Sequence, residues 1–195
     1  MAQKHQYTTS DYLEWDVAMN LIRRLYKDGK IRLSLLVGCG CFFGLRFSDL
    51  SRLTWEQLLT GDSFAIYEQK TSKRREIRIN KGFQDFIREC YVALNIRDIS
   101  QPCFLNRFGS IITNQMVNRH FKLIKVRYQI KTRNFSTHSL RKTFGRRVVD
   151  MAGANAEMAL IKLSEIFNHA SPLVTRRYLG LRQEELGEVY EGLQF

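Results

Sequence analysis

FAIYEQKTSKRREIRI, residues 64–79, is the one stretch of this chain that reads as strand. Segments 64–69 and 76–79 flank a polar turn, KTSKR, and predict a short antiparallel hairpin at the edge of the domain. Everything around it reads as helix, so the fold is expected to be mainly α with a small antiparallel β-sheet, an α+β domain. Downstream, helices are expected at 82–94, 114–128, 138–152 (capped by Ser136) and 155–168. Ser171-Pro172 is an N-cap with proline at the first helical position, and it opens a short helix carrying Tyr178.

Upstream, Asp11 and Glu14 read as a capping box for a helix with Trp15, Met19, Ile22 and Leu25/Tyr26 on one face, stopping at Asp28-Gly29. A broadly apolar helix at 31–43 predicts burial on several sides. Gly44-Leu45-Arg46 breaks it, and Ser48 is placed to cap a third, short helix. A last amphipathic piece uses Leu186, Val189, Tyr190 and Leu193. With two prolines and no low-complexity linker, residues 1–195 read as a single domain.

The charge is uneven. The net charge is +12, and a basic surface favours a polyanion, nucleic acid first. Residues 69–81 carry six Lys/Arg against one Glu, and 119–147 carry ten with no acid, whereas 184–195 carry four Glu and no Lys/Arg. This pattern suggests a DNA-binding body and an acidic tail that packs on protein. Cys39, Cys41, Cys90 and Cys103 match no zinc spacing and read as buried free thiols of a reducing compartment. No metal site is expected. There is no signal-peptide pattern and no apolar run approaching a membrane span, so a cytoplasmic, DNA-associated protein is expected, with no membrane partner.

Certain residue types then recur in a telling order. His138 and Arg141 share one helix face at i, i+3, presenting a proton acceptor and a planar cationic fork together. Arg46 follows the buried helix directly, with Asp49 three residues on as a partner able to orient it. Lys70 opens the hairpin turn, and His169 precedes the Tyr178 helix. Taken singly, each also reads as a solvated surface charge or ordinary packing.

The full order Arg46, Lys70, His138-x-x-Arg141, His169, Tyr178 resembles the catalytic set of the tyrosine recombinase (phage integrase) family. GLRFSDLSRLTW is similar to its first-arginine box, QKTSKRREIRI to its hairpin-lysine segment, THSLRKTFG to its H-x-L-R box, and IFNHASPLVTRRYLG to its His-to-Tyr segment. The resemblance runs from Thr9 to Gly180. It departs at Asn168, where the family usually has Gly, at Lys142, usually small or His, and in a longer Arg141-to-His169 interval. Members usually carry an N-terminal helical domain that clamps the other face of the DNA. It is absent from this chain, which is therefore either a piece of a longer integrase or a compact member like the small DNA-inversion recombinases.

The resemblance implies the tyrosine recombinase catalytic-domain fold and a site-specific recombinase that breaks and rejoins double-stranded DNA without metal, cofactor or ATP. Tyr178 would attack the scissile phosphorus. Arg46 and Arg141 would clamp its oxygens, His138 would accept the tyrosine proton, Lys70 would protonate the departing 5′-oxygen, and His169 would bond a nonbridging oxygen. Lys73, Arg74, Arg119, Lys122 and Lys142 are the expected phosphate contacts. A homo-oligomer on DNA, a tetrameric synapse, is implied, with the tail 181–195 packing on a neighbouring subunit. The alternatives are type IB topoisomerase-like relaxation, whose corresponding box generally has Lys in place of His138, and a non-catalytic DNA-binding regulator on the same fold.

Overall fold

The computed structural model describes residues 10–181, 187 and 189–193. The chain runs α1 (Trp15–Lys27), α2 (Ile31–Phe43), α3 (Phe47–Leu50), α4 (Trp55–Leu59), β1 (Ser63–Tyr67), β2 (Arg74–Arg78), α5 (Lys81–Ala93), α6 (Asn114–Arg127), α7 (Thr137–Ala152), a 3-10 turn (Gly153–Asn155), α8 (Ala156–Phe167) and α9 (Pro172–Leu179). The strands pair antiparallel from Ser63↔Arg78 to Tyr67↔Arg74 and form a two-stranded sheet. The expected mainly helical α+β architecture is the one observed.

Helix α2 is the hub. Its residues from Ser34 to Cys41 are buried, and it packs against α1, α5 and α7. A helix this apolar on all sides can only sit inside. The approach of α7 depends on Gly40, where a Cβ would stand 2.6 Å from Leu140 Cδ1. One turn later α2 ends on Gly44, which has φ +57, a left-handed conformation that favours glycine. These two glycines bring the end of α2 against the first turns of α7. A second, smaller cluster, Val149, Leu160, Leu163, Phe167 and Leu179, ties α7, α8 and α9 together.

Local signals succeed where the chain satisfies its own ends. Ser136 caps α7, and Ser171 caps α9 with Pro172 at its start. They fail where a distant partner competes. Asp11 and Glu14 do not form a capping box. Glu14 occupies the N-cap position without a side-chain bond, while Asp11 exchanges bonds with Asn134: its N–H donates to Asn134 O (3.0 Å) and its Oδ2 accepts from Asn134 N (3.1 Å). Ser48 is not a cap either, because α3 starts one residue earlier with Arg46 at its N-cap. Helix α4, with a Thr54–Gln57 capping box, went unread in the sequence.

All four cysteines are buried free thiols, and burial pushes the thiols of Cys39, Cys41, Cys90 and Cys103 up. Among the described residues no His/Cys/Asp/Glu group could hold a metal ion, and no helix is long and apolar enough to cross a membrane.

Candidate active site

Three helix and hairpin ends meet at one point. The last carbonyls of an α-helix have no partner inside it and carry the negative end of the helix dipole. Here arginines take them. Phe167 O, at the end of α8, accepts from Arg46 Nη2 (2.8 Å) and from Arg141 Nη2 (2.9 Å). At the end of α2, Gly44 O accepts from Arg141 Nη1 (2.7 Å), and Phe43 O accepts from Arg75 Nη2 (2.7 Å). Arg141 is 4% exposed, and its guanidinium carbon lies 4.1 Å from the Phe167 ring centroid. Burial first, then the charges of Arg46 and Arg75, pushes Arg141 down to about 10.

The carboxylate bonded to Arg46 is not the one the sequence suggested. Asp49, expected to orient Arg46, instead accepts from the Gln69 backbone N–H at 2.9 Å. The acid on Arg46 is Glu68, 3% exposed, whose Oε2 accepts from Arg46 Nη1 at 2.8 Å and from Thr71 Oγ1 at 3.0 Å. Its Oε1 lies 3.8 Å from Arg75 Nη1. Burial opposes ionisation of Glu68, yet the Thr71 bond and the charges of Arg46 and Arg141 hold its carboxyl below the usual range. A signal for both missed residues existed. Strand alternation puts Glu68 on the face of buried Phe64 and Ile66, and Arg75 on the face of Ile77 and Ile79.

Beside the arginines stands Tyr178, on α9. Its hydroxyl is enclosed and makes no hydrogen bond of ordinary geometry. Burial raises its pKa, against the opposing charges of Arg141 and Arg46. The ring packs edge-on to Phe167 (5.7 Å) and His169 (5.2 Å), and Lys142 Nζ lies 5.2 Å from its centroid. Asn168 ends α8 in the left-handed region at φ 50, and the His169 N–H donates to Ser164 O (2.9 Å), which turns the chain so that His169 meets the tyrosine. His169 Nδ1 and Thr175 Oγ1 are 3.0 Å apart. Burial, with Arg141, Arg46 and Lys70, pushes His169 down to about 4. His138 is exposed at the start of α7, and partial burial followed by the charges of Arg141 and Lys142 lowers its pKa. Lys70 is exposed on the turn after Glu68. Arg46, Arg141, His169 and Tyr178 thus gather around Phe167, while His138 stands one turn before Arg141 on α7 and Lys70 two residues after Glu68, both exposed beside them.

A model of the phage integrase family matches residues 12–185. The chain belongs to the phage integrase family. It is 28% identical over 150 residues to a probable integrase/recombinase YoeC of Bacillus subtilis (strain 168), covering 75% of this chain and 76% of that protein. Tyrosine recombinase XerC of Myxococcus xanthus is 26% identical over 155 residues, 76% of this chain and 50% of that protein, so the chain spans about half the length of this relative. The Tn1549 transposon integrase, solved in complex with transposon right end DNA, shares the fold at TM-score 0.70 and 16% identity, over 96% of this chain and 68% of that one.

Two departures of this integrase-family chain now have a physical account. Asn168 stands at a positive φ, where Asn is the common substitute for Gly, and its Oδ1 accepts from Lys73 Nζ at 2.9 Å. Lys142 lies over the Tyr178 ring rather than on an outlying surface. The other expected phosphate contacts are spread out. Arg74 is exposed beside Glu76 at 4.0 Å, and Arg119 and Lys122 are exposed on α6. That face of α6 adjoins His138, because Asn118 Oδ1 accepts from Thr137 N and Asn114 Oδ1 from Thr137 Oγ1. Arg176 pairs with Glu157 (3.5 Å) and belongs to the α8–α9 packing. In the tail, Val189, Tyr190 and Leu193 are 63%, 74% and 74% exposed, while Leu186 and Phe195 lie outside the described residues.

Proposed function

We propose that this chain is the catalytic domain of a site-specific recombinase that cleaves and rejoins double-stranded DNA through a 3′-phosphotyrosyl intermediate. The observation that carries the reading is the convergence of Arg46 and Arg141 on the Phe167 carbonyl, next to the enclosed Tyr178 hydroxyl. Each guanidinium spends two of its five donors on protein oxygens and keeps others for an anion. Negative charge develops on the nonbridging oxygens as a phosphodiester reacts, and preorganised donors answer it.

In the cleavage step the Tyr178 Oη–P bond forms and the P–O5′ bond breaks. His138, whose pKa is lowered by burial and by the charges of Arg141 and Lys142, takes the phenol proton. Lys70 gives a proton to the departing 5′-oxygen. Thr175 Oγ1 lies nearer His169 Nδ1 (3.0 Å) than Ser171 O (3.4 Å), so we assign its proton to Nδ1. That leaves His169 Nε2–H to donate to a phosphate oxygen. Reversal by the 5′-hydroxyl of another strand rejoins the DNA, with bond energy kept in the adduct.

The DNA lies across the hairpin turn and α6, held by Lys73, Arg74, Arg119, Lys122 and Lys142. Copies assemble on DNA as a tetramer, and the exposed apolar side chains of the acidic tail pack on a neighbouring subunit. DNA in the Tn1549 integrase complex supports this reading of the partner. The test is covalent selection. Incubate the protein with a randomised nicked duplex pool, wash under denaturing conditions and sequence what stays attached. A recurring site, absent with Tyr178→Phe, is expected. Equal recovery with Tyr178→Phe would contradict the reading.

A further inference from the structure

Among the described residues, Glu68 is the one buried acid in direct contact with the reacting apparatus that the proposed mechanism leaves without a task. It is joined to both sides of that apparatus. Its Oε2 accepts from Arg46 Nη1 at 2.8 Å and, on the same oxygen, from Thr71 Oγ1 at 3.0 Å. Its backbone is joined to the same turn: Glu68 O accepts from Ser72 N (2.7 Å) and Thr71 N (3.3 Å), and Glu68 N donates to Lys73 O (3.0 Å). Lys70 lies inside the loop these bonds close. Ser72 sits at φ 55, so the turn is sharp and specific rather than slack. The far side of the carboxylate faces Arg75, itself tied to Phe43 O at the end of α2. A wholly buried carboxylate is tolerated only when paired, and here the pairing links the phosphate clamp to the hairpin.

We propose that Glu68 is a positioning residue for DNA cleavage: through one oxygen it sets Arg46, and through Thr71 it holds the Lys70 turn, so the clamp and the leaving-group acid are aligned together. The proposal rests on the recombinase reading above. It assigns no proton transfer to Glu68. When the P–O5′ bond breaks, the proton on the 5′-oxygen still comes from Lys70, and a misplaced Lys70 slows that departure. Misplacement of about 1 Å can cost about 10²-fold in rate.

The chemistry offers a direct readout. A 5′-bridging phosphorothiolate replaces the departing oxygen by sulfur, and a thiolate leaves without a proton. The substrate is a duplex recovered by covalent selection with the wild-type chain, made in oxygen and sulfur forms. Four variants are compared by rate of adduct formation: Lys70→Ala, Arg46→Ala, Glu68→Gln and Thr71→Val, with thermal unfolding of each. Thr71→Val removes the hydroxyl link to Glu68, with a long 3.5 Å bond from Lys73 N, and keeps the Arg46–Glu68 pair, which guards against a Glu68 variant that fails to fold.

On the oxygen substrate, Glu68→Gln and Thr71→Val are expected to lose about 10²-fold and about 10-fold respectively. On the sulfur substrate both recover at least tenfold or to the wild-type rate, as Lys70→Ala does, while Arg46→Ala does not recover. Rates for Thr71→Val and any folded Glu68→Gln within threefold of wild type on oxygen would overturn the proposal. So would losses in both that sulfur fails to relieve. If the wild-type chain forms no adduct on any duplex, the recombinase reading itself falls and takes Glu68 with it. An adduct in the wild type with undiminished variants overturns Glu68 alone.

Discussion

Replacing Arg141 with Met separates stability from activity, because this arginine is held at a cost. It is 4% exposed, and its pKa of about 10 against an ordinary 12.5 reports how strongly the folded chain disfavours the charge. At 1.36 kcal/mol per pH unit, that difference is worth about 3 kcal/mol. Met fills similar space without the charge. Against that gain, Gly44 O loses its donor, while Phe167 O keeps Arg46. An unsatisfied buried carbonyl costs about 1–3 kcal/mol. The two nearly cancel, so Arg141→Met should unfold within about 5 °C of the wild type, since about 1 kcal/mol moves Tm by about 2–4 °C at this size. Adduct formation should fall at least about 10²-fold, the effect of removing one preorganised donor. The assay pairs a thermal melt with denaturing-gel quantification of adduct on a selected duplex. A Tm loss above about 10 °C would refute the reasoning by making Arg141 a structural strut. So would an adduct rate within threefold of the wild type.

Three further outcomes follow from the same structure. His169 is pushed down to about 4 from 6.5, so between these values the unfolded chain binds more protons than the folded one, and stability falls as pH drops from 6.5 toward 4. Melts at stepped pH should show this loss, and His169→Gln should flatten it; an unchanged slope in the variant would contradict the assignment. Gly40→Ala places a Cβ 2.6 Å from Leu140 Cδ1 and should destabilise by about 1–3 kcal/mol in denaturant titration, with weakened cleavage because α7 carries His138 and Arg141. Removing the exposed cations with Arg119→Ala and Lys122→Ala should reduce the slope of log affinity against log salt by about 0.9 for each phosphate no longer neutralised, and an unchanged slope would move the DNA off this face.

What was legible in the sequence was whatever depends on neighbours a few residues away. Ser136 and Ser171-Pro172 announce their helices because an N-cap bonds the backbone two or three residues on. The hairpin announces itself by two short runs around a polar turn. The candidate site residues were picked out by their order along the chain rather than by any local physics. Strand alternation puts Glu68 on the buried face but does not name its partners, because Arg46 and Arg75 are fixed by where the end of α2 and the start of β2 come to lie, and Asp49 offered a nearer but false partner. Asp11 misled for the same reason: its bonds to Asn134 cross more than a hundred residues, and they outcompete a local cap.

The central claim is that Tyr178, through a 3′-phosphate, is the residue that holds the DNA. The chain has eight tyrosines, so identifying the linked one decides the matter. A selected duplex labelled at either end, trapped on the wild-type chain, digested with protease and mapped by tandem mass spectrometry, gives both facts at once. The expected result is a nucleotide on the peptide containing Tyr178, joined through the 3′ side of the break, with a free 5′-hydroxyl on the released strand. A nucleotide on any other tyrosine, or a linkage through a 5′-phosphate, would contradict it.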